Sequence, residues 1–474
     1  SAGGLYALDA DTGKVRWLYE TDMPLGQAPT IVNGVAYVGC FDRKLHAVDA
    51  ATGKGLWTFK GGAGFATNPL VVAGKVYAGC RDGYLYAVDA KTGGEVWRFR
   101  TAGPVLFSPA YAEGVVFFAS NDSHAYAVDA DTGKLVWKSK KLPGAGFHSW
   151  WPVVYRDRVV LAGSNNYRTG IGPGIRNFFT SNELREVYPK HTTDPRGTPI
   201  GPVGAEPGDW VEGTTTIDAT RILDFLRKKP WRRTVFVLDR ATGEERETAP
   251  FLWCGTHSGN RYPPVVGGDG VLYMQNNYLS DRWIAGGGPT GWKIGTPYIS
   301  VISAGWKAVD EPMAFAAGGN VIYWDLCCNR AAGATDISKP LPKGWPKRLL
   351  GGPPREWSYW GYDHNKKFPR LYEKGWRYTC TAHNDQNPPI PHRGRVYLHR
   401  YNAVHCLAPE GKLPEFVKKD QPVPAQLKAD VVGPANMLPG PAFHVRAAEG
   451  ELPAIVQTWR YVRTRRDAKP QFVV

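Results

Sequence analysis

Three histidines in this chain of 474 residues stand just ahead of segments that read as β-strands. The first is in Phe147-His148-Ser149-Trp150-Trp151-Pro152. The second is in Cys254-Gly-Thr-His257, followed by Arg261-Tyr262-Pro263-Pro264. The third is in Cys380-Thr-Ala-His383, followed by Gln386 and Pro388-Pro389. The last two share one pattern: Cys-x-x-His, a polar residue, Pro-Pro, then a strand. Two chemistries compete for them. Thiolate and imidazole are the ligands of four-coordinate zinc, and Cys327-Cys328 lies between the two motifs in the chain. Alternatively, histidine titrates near neutrality and serves as acid or base, with Arg261 neutralising a substrate carboxylate. The bland role, for any one of them, is to satisfy a loop carbonyl. The vicinal pair Cys327-Cys328 has its own alternatives: a strained disulfide ring, or one metal ligand beside a buried thiol.

What must position these residues is a repeat. Asp-Ala-x-Thr-Gly-x-x-x-Trp recurs every 40 residues, from Asp9 to Trp17, Asp49 to Trp57, Asp89 to Trp97 and Asp129 to Trp137. That period, with four short strands in each unit, predicts a β-propeller. We expect an all-β chain of seven four-stranded antiparallel blades, or eight if Asn402–Leu407 opens a further blade. The second unit shows the pattern: Ala28–Val32, Val35–Cys40, Leu45–Asp49 and Leu56–Lys60 are strands. The turns between them carry Asn33-Gly34, Asp42-Arg43 and Thr52-Gly53. The Thr-Gly turn puts glycine where φ can be positive, and the Trp docks on the neighbouring blade. Inner strands begin near Ala28, Asn68, Ser108, Trp151, Pro263, Pro312 and Pro388. Innermost strands line a propeller's channel, so the three histidines would converge at its mouth. The ring would close between Leu5–Asp9 with Val15–Tyr19 and Pro388–Tyr401.

The propeller is expected to span residues 1–408, with insertions at about 168–232 and 330–378, the first carrying a helix over Ile217–Lys229 capped by Asp218 or Thr216. Residues 409–474 read as a C-terminal extension packing on the propeller, with a strand at Ala454–Val462. Cys40 and Cys80, one repeat apart with Ser120 next in line, read as small core residues closing a strand. Seven cysteines make an odd number, which is no disulfide framework. Ser1 opens in mid-repeat, which suggests a removed secretion signal and a secreted or periplasmic protein.

The net charge of +15 either serves solubility alone or points to a polyanionic partner, foremost an anionic polysaccharide. The cations cluster at Arg227-Lys228-Lys229 with Arg232-Arg233, at Lys366-Lys367, and at Arg460, Arg463, Arg465 and Arg466. No nucleic-acid-binding motif accompanies them, no apolar run is long enough for a membrane helix, and a monomer is favoured.

The unit Leu-Tyr-Ala-Val-Asp-Ala-x-Thr-Gly-x-x-x-Trp resembles the quinoprotein-type propeller repeat over residues 3–140. Pyrroloquinoline-quinone alcohol dehydrogenases share that repeat with many non-enzymatic relatives. The dehydrogenases would imply a quinone between a tryptophan and a vicinal disulfide, which Cys327-Cys328 could match, with calcium possible; the haem motif Cys-x-x-Cys-His does not occur.

A narrower resemblance is to seven-bladed propeller ulvan lyases. It implies His148 as base or acid, Arg261 as neutraliser and Tyr167 or Tyr262 as phenolic partner. Trp150, Trp151, Tyr188 and Tyr298 would bind the sugar. It also implies a structural zinc, here on Cys254, His257, Cys328 and Cys380 or His383. Asn166-Tyr167 stands where some of those enzymes carry a second histidine.

β-Elimination removes the proton α to a uronate carboxylate. Arg neutralises the developing charge while His and Tyr move protons. A polysaccharide lyase acting on an ulvan-like glycan is therefore the first expectation. The alternative is a non-catalytic propeller binding protein or cell-envelope partners, and the third is a quinone-dependent dehydrogenase.

Overall fold

A computed structural model of the chain describes residues 3–11, 13–143, 147, 151–163, 186, 213–251, 264–274, 290–303, 312–318, 321–326, 332–336, 347–350, 390–393, 395–400, 403–407, 460–462 and 471–473. Its contacts divide the chain into two compact units. One comprises 1–122, 127–136 and 414–474; the other comprises 123–126 and 137–413.

The first unit begins with the antiparallel pair β1 (Gly3–Leu8) and β2 (Val15–Thr21). A four-stranded sheet follows: β3 (Thr30–Val32), β4 (Val35–Gly39), β5 (Lys44–Asp49), β6 (Gly55–Lys60). The next repeats it with β7 (Leu70–Val72), β8 (Lys75–Gly79), β9 (Tyr84–Asp89) and β10 (Glu95–Arg100). A third has β11 (Ala110–Ala112), β12 (Val115–Ser120), β13 (His124–Asp129) and β14 (Leu135–Lys138). Strands pair with their chain neighbours, which is the blade plan that the repeat predicts. β4 and β5 are buried along nearly their whole length, whereas β3 is half buried and β6 mostly exposed. A middle strand covered on both faces reads as a continuous apolar run, here Leu45 and Ala47-Val48 around His46.

In the second unit, β15 (Val153–Tyr155) and β16 (Arg158–Ala162) begin a sheet. The strand β17 (Gly213–Asp218) and the helix α1 (Thr220–Lys228) follow them in the chain before the sheet is completed by β18 (Val235–Asp239) and β19 (Glu245–Thr248). Neighbours in that sheet, β16 and β18, are thus separated in the chain by β17 and α1. β17 joins the following sheet, pairing with β23 in the order β17-β23-β22-β21-β20. Those strands are β20 (Val265–Val266), β21 (Leu272–Met274), β22 (Thr290–Trp292) and β23 (Tyr298–Ser303). The expected helix over Ile217–Lys229 is corrected accordingly. Ile217 pairs with Ile299 in the sheet, and the helix starts at Thr220. Asp218 accepts from the Thr220 N–H at 2.9 Å, while Ala219 holds the N-cap position. Ile222, Leu223, Phe225 and Leu226 are the buried face of α1.

A further sheet has β24 (Pro312–Gly318), β25 (Val321–Leu326), β26 (Ala332–Asp336) and β27 (Lys347–Leu350). Three strands follow, β28 (Ile390–His392), β29 (Arg395–Arg400) and β30 (Ala403–Leu407). In the first unit, β31 (Arg460–Val462) pairs with β32 (Gln471–Val473). The inner strands lie within two residues of their expected starts. Ala403–Leu407, on which the eight-blade alternative turned, pairs with β29 as the third strand of its sheet. The six complete sheets among the described residues are consistent with seven blades.

Each of the first four blades is tied to the next by its tryptophan. Trp17 Nε1 donates to the Ala50 carbonyl at 3.0 Å, Trp57 to Ala90 at 3.1 Å, and Trp97 to Ala130 at 3.1 Å. In the second unit, Trp137 donates to Arg240 at 2.9 Å. Tyr37 and Tyr77 hydroxyls reach the Ala90 and Ala130 carbonyls as well, so both lone pairs of these oxygens are used. The glycine of the next Thr-Gly turn lies against the indole with φ near +70°, at Gly53, Gly93, Gly133 and Gly243. A register shift ahead of Trp57 and Trp97 turns each ring inward opposite Ala47 and Ala87. The skipped residues Leu56 and Val96 are left exposed. The turn itself is held by Asp49 Oδ1, which accepts from the Ala51 and Thr52 N–H groups and from the Thr52 hydroxyl. Asp89, Asp129 and Asp239 do the same.

Candidate functional site

Most of the residues singled out in the sequence lie outside the described residues. These are His148, Trp150, Tyr167, Tyr188, Cys254, His257, Arg261, Tyr262, Cys328, Cys380 and His383. Two fall inside. Trp151 is half buried just ahead of β15, and Tyr298 opens β23 with half its surface in solvent. Of the basic cluster at 227–233, Arg227 pairs with Asp224, Lys229 with Glu186 and Arg233 with Glu245. Those three cations are already compensated locally, which lowers the field they offer a polyanion.

The cluster that the structure does bring together is in the first unit. Cys40 follows β4, Asp42 sits in the turn, and His46 is the third residue of β5. One donor atom from each lies within 4.8 Å of the others. His46 Nε2 is 3.0 Å from Asp42 Oδ2, and its Nδ1 is 3.0 Å from the Tyr19 hydroxyl. The Lys44 N–H donates to Asp42 Oδ1 at 2.9 Å, and the Lys44 ammonium stands 3.7 Å from Oδ2. The Cys40 thiol donates to the Met23 carbonyl at 3.2 Å. Cys40 and His46 are buried, and the Asp42 side chain is 7% exposed.

Burial pushes the Cys40 thiol up to about 11, so it is protonated at neutral pH. Burial also works against charge on Asp42. The hydrogen bond and charge of His46 and the Lys44 N–H outweigh it and hold the carboxyl below the ordinary range. Tyr19 is raised, by burial first and then by the Asp42 charge. A buried protonated thiol is a poor nucleophile. What the cluster can do is hold a proton between His46 and Asp42, or hold a cation in its place.

Neighbouring repeats show what is ordinary here. Cys80, Asp82 and Tyr86 stand one repeat on, and the Tyr86 hydroxyl donates to Asp82 Oδ2 at 2.7 Å. Cys80 donates to the Ala63 carbonyl at 3.1 Å, and Ser120 donates to Gly103 at 3.0 Å. The reading of these positions as small core residues therefore holds: Cys40, Cys80 and Ser120 are all fully buried. What sequence reasoning missed is that the second blade alone of these carries histidine where Tyr86 and Tyr126 stand. The signal was Cys40-x-Asp42-x-x-x-His46 set against Cys80-x-Asp82-x-x-x-Tyr86.

A family model described as outer membrane protein assembly factor BamB matches residues 1–83 and 42–173. No curated protein matches the chain. Among solved structures, the computationally designed Ika8 protein aligns at 12% identity with a TM-score of 0.50, covering 86% of this chain and 90% of that one. BamB from Moraxella catarrhalis aligns at 13% identity with a TM-score of 0.45, covering 86% of this chain and 98% of that one. The chain has a β-propeller fold, and its first 173 residues match that family model.

Proposed function

We propose that this chain is a non-catalytic propeller scaffold that binds a protein partner at the cell envelope, outside the cytoplasm. The observation that carries the proposal is the family model, described as an outer membrane protein assembly factor, over the first 173 residues. The described blades support it. Their recurrent polar residues are consumed in the frame itself, as turn acceptors and as inter-blade hydrogen bonds. Apolar side chains left out on the outer strands, Leu56, Val96, Leu135 and Val136, offer contact area. Among the described residues no helix is long and apolar enough to cross a membrane.

The competing proposal is the ulvan-type lyase, with His148, Arg261 and Tyr167 or Tyr262 at the reacting sugar and a structural zinc nearby. One experiment separates the two. The protein and its His148→Ala variant are mixed with a panel of uronate polysaccharides, ulvan first, and absorbance of the unsaturated uronate is followed. The scaffold reading expects flat traces from both proteins. A rising trace that is lost in the variant establishes the lyase and overturns the scaffold. In parallel, photocrosslinking residues at positions 56, 96 and 136 are expected to trap one discrete envelope protein in cells of the source organism; no adduct at any position counts against this docking face.

A further inference from the structure

We infer that Cys40, Asp42 and His46 form a binding site for a divalent transition ion of the zinc class, built into one blade of the repeat. The argument is independent of the scaffold reading and rests on three observations. The three donor atoms are already gathered within 4.8 Å by a seven-residue stretch whose backbone is pinned by β4 and β5. The histidine is oriented as ligating histidines are, with one ring nitrogen held by an outer partner, the Tyr19 hydroxyl, and the other facing the remaining donors. And the histidine replaces a phenol: in the next repeat Tyr86 meets Asp82 through its own proton, which leaves no second nitrogen donor there.

The contact between Nε2 and Oδ2 at 3.0 Å is a hydrogen bond with the proton between the two atoms. A metal ion can take that proton's place. Thiolate, imidazole and carboxylate together are a borderline-soft set, suited to zinc or cobalt. Calcium and magnesium prefer oxygen throughout. Three protein ligands leave a fourth position for water or for the Met23 carbonyl, which lies 3.2 Å from Sγ. Loading releases the Cys40 thiol proton to solvent and leaves the single imidazole proton of His46 on Nδ1, where it donates to the Tyr19 hydroxyl oxygen. The Lys44 ammonium, 3.7 Å from Oδ2, opposes the ion, but its side chain is 37% exposed and can swing into water.

The test uses the full chain with cobalt(II) as probe, since thiolate ligation gives a charge-transfer band and four-coordination gives intense visible bands. The chain has six other cysteines, so the comparison is between chains. The variants are Cys40→Ser and His46→Tyr, the latter placing in this blade the residue that already fits at Tyr86. Circular dichroism checks that both fold. The wild type is expected to bind one more cobalt ion than either variant, with a correspondingly stronger charge-transfer band, and zinc should displace that ion. Tyr19→Phe, which touches no metal, is expected to keep the site but weaken it roughly 10–100-fold by freeing the ring. Equal stoichiometry in the wild type and both variants overturns the site. Loss in Cys40→Ser with retention in His46→Tyr overturns it too, because His46 is then no ligand.

Discussion

Replacing Gly133 by alanine tests the inter-blade lock. Gly133 has φ of +70°, and a Cβ built there lies 2.7 Å from Trp97 Cδ2 and 2.8 Å from Cε3. Trp97 cannot retreat freely, because it is 8% exposed and its Nε1 is bonded to the Ala130 carbonyl. Two costs combine. An L-residue in the left-handed region costs about 1–2 kcal/mol. Forcing a methyl group into packed atoms costs about 1–3 kcal/mol more. Gly114 supplies the control: its φ is +80°, but nothing lies within 4 Å of the added Cβ, so Gly114→Ala carries the first cost alone. In a Trp97→Ala background the clash is gone and Gly133→Ala should fall to the Gly114 value, a coupling of about 1–3 kcal/mol. Urea unfolding followed by far-ultraviolet circular dichroism measures these four variants and the wild type. The reasoning is refuted if Gly133→Ala and Gly114→Ala cost the same, or if removing the indole leaves the Gly133 cost unchanged.

Further outcomes are expected from the same structure. Thr234 is fully buried and its Oγ1 has no hydrogen-bond partner, so Thr234→Val, which keeps the shape, should be neutral or stabilise by about 1–2 kcal/mol in thermal melts; a loss of stability would show the hydroxyl to be satisfied. Burial raises Tyr77 from 10.0 to about 12, so the native state keeps its proton. Its contribution is present below pH 10 and is lost as pH rises toward about 12. Tyr77→Phe should start less stable, having lost the bond to Ala130, but its melting temperature should fall less steeply over that range. Asp49, Asp89 and Asp129 are lowered from 3.8, chiefly by hydrogen bonds from the threonine that follows in each turn. Their contribution is present above pH 3.8 and is lost as pH falls below it. The triple Asp→Asn variant should flatten the acid limb of the stability curve; an unchanged limb would remove these turns from it.

The repeat was legible because the first four units solve the same local problem with the same residues. An aspartate collects the turn's N–H groups, a glycine takes positive φ, and a tryptophan four residues on reaches a carbonyl of the next blade. These are short-range requirements, so they are written at fixed spacing and can be counted along the chain. The inner strands followed from the same count. The cluster around His46 was not legible in that way. A comparison between blades shows histidine where tyrosine stands elsewhere, but not that Tyr19, 27 residues earlier, would hold its ring.

By itself the sequence determined the architecture: period, strand order, turn chemistry and the Trp anchors all follow from contacts within one repeat or between adjacent ones. Only the tertiary structure decided where the insertion sends its strand. Nothing in Gly213–Asp218 says that it pairs with Tyr298–Ser303, some eighty residues on, because a strand's edge accepts any partner whose register buries the right face. The same holds for the ion-binding geometry at Cys40, Asp42 and His46. Distances between side chains on neighbouring strands, and the burial that fixes their protonation, exist only once the sheet is formed.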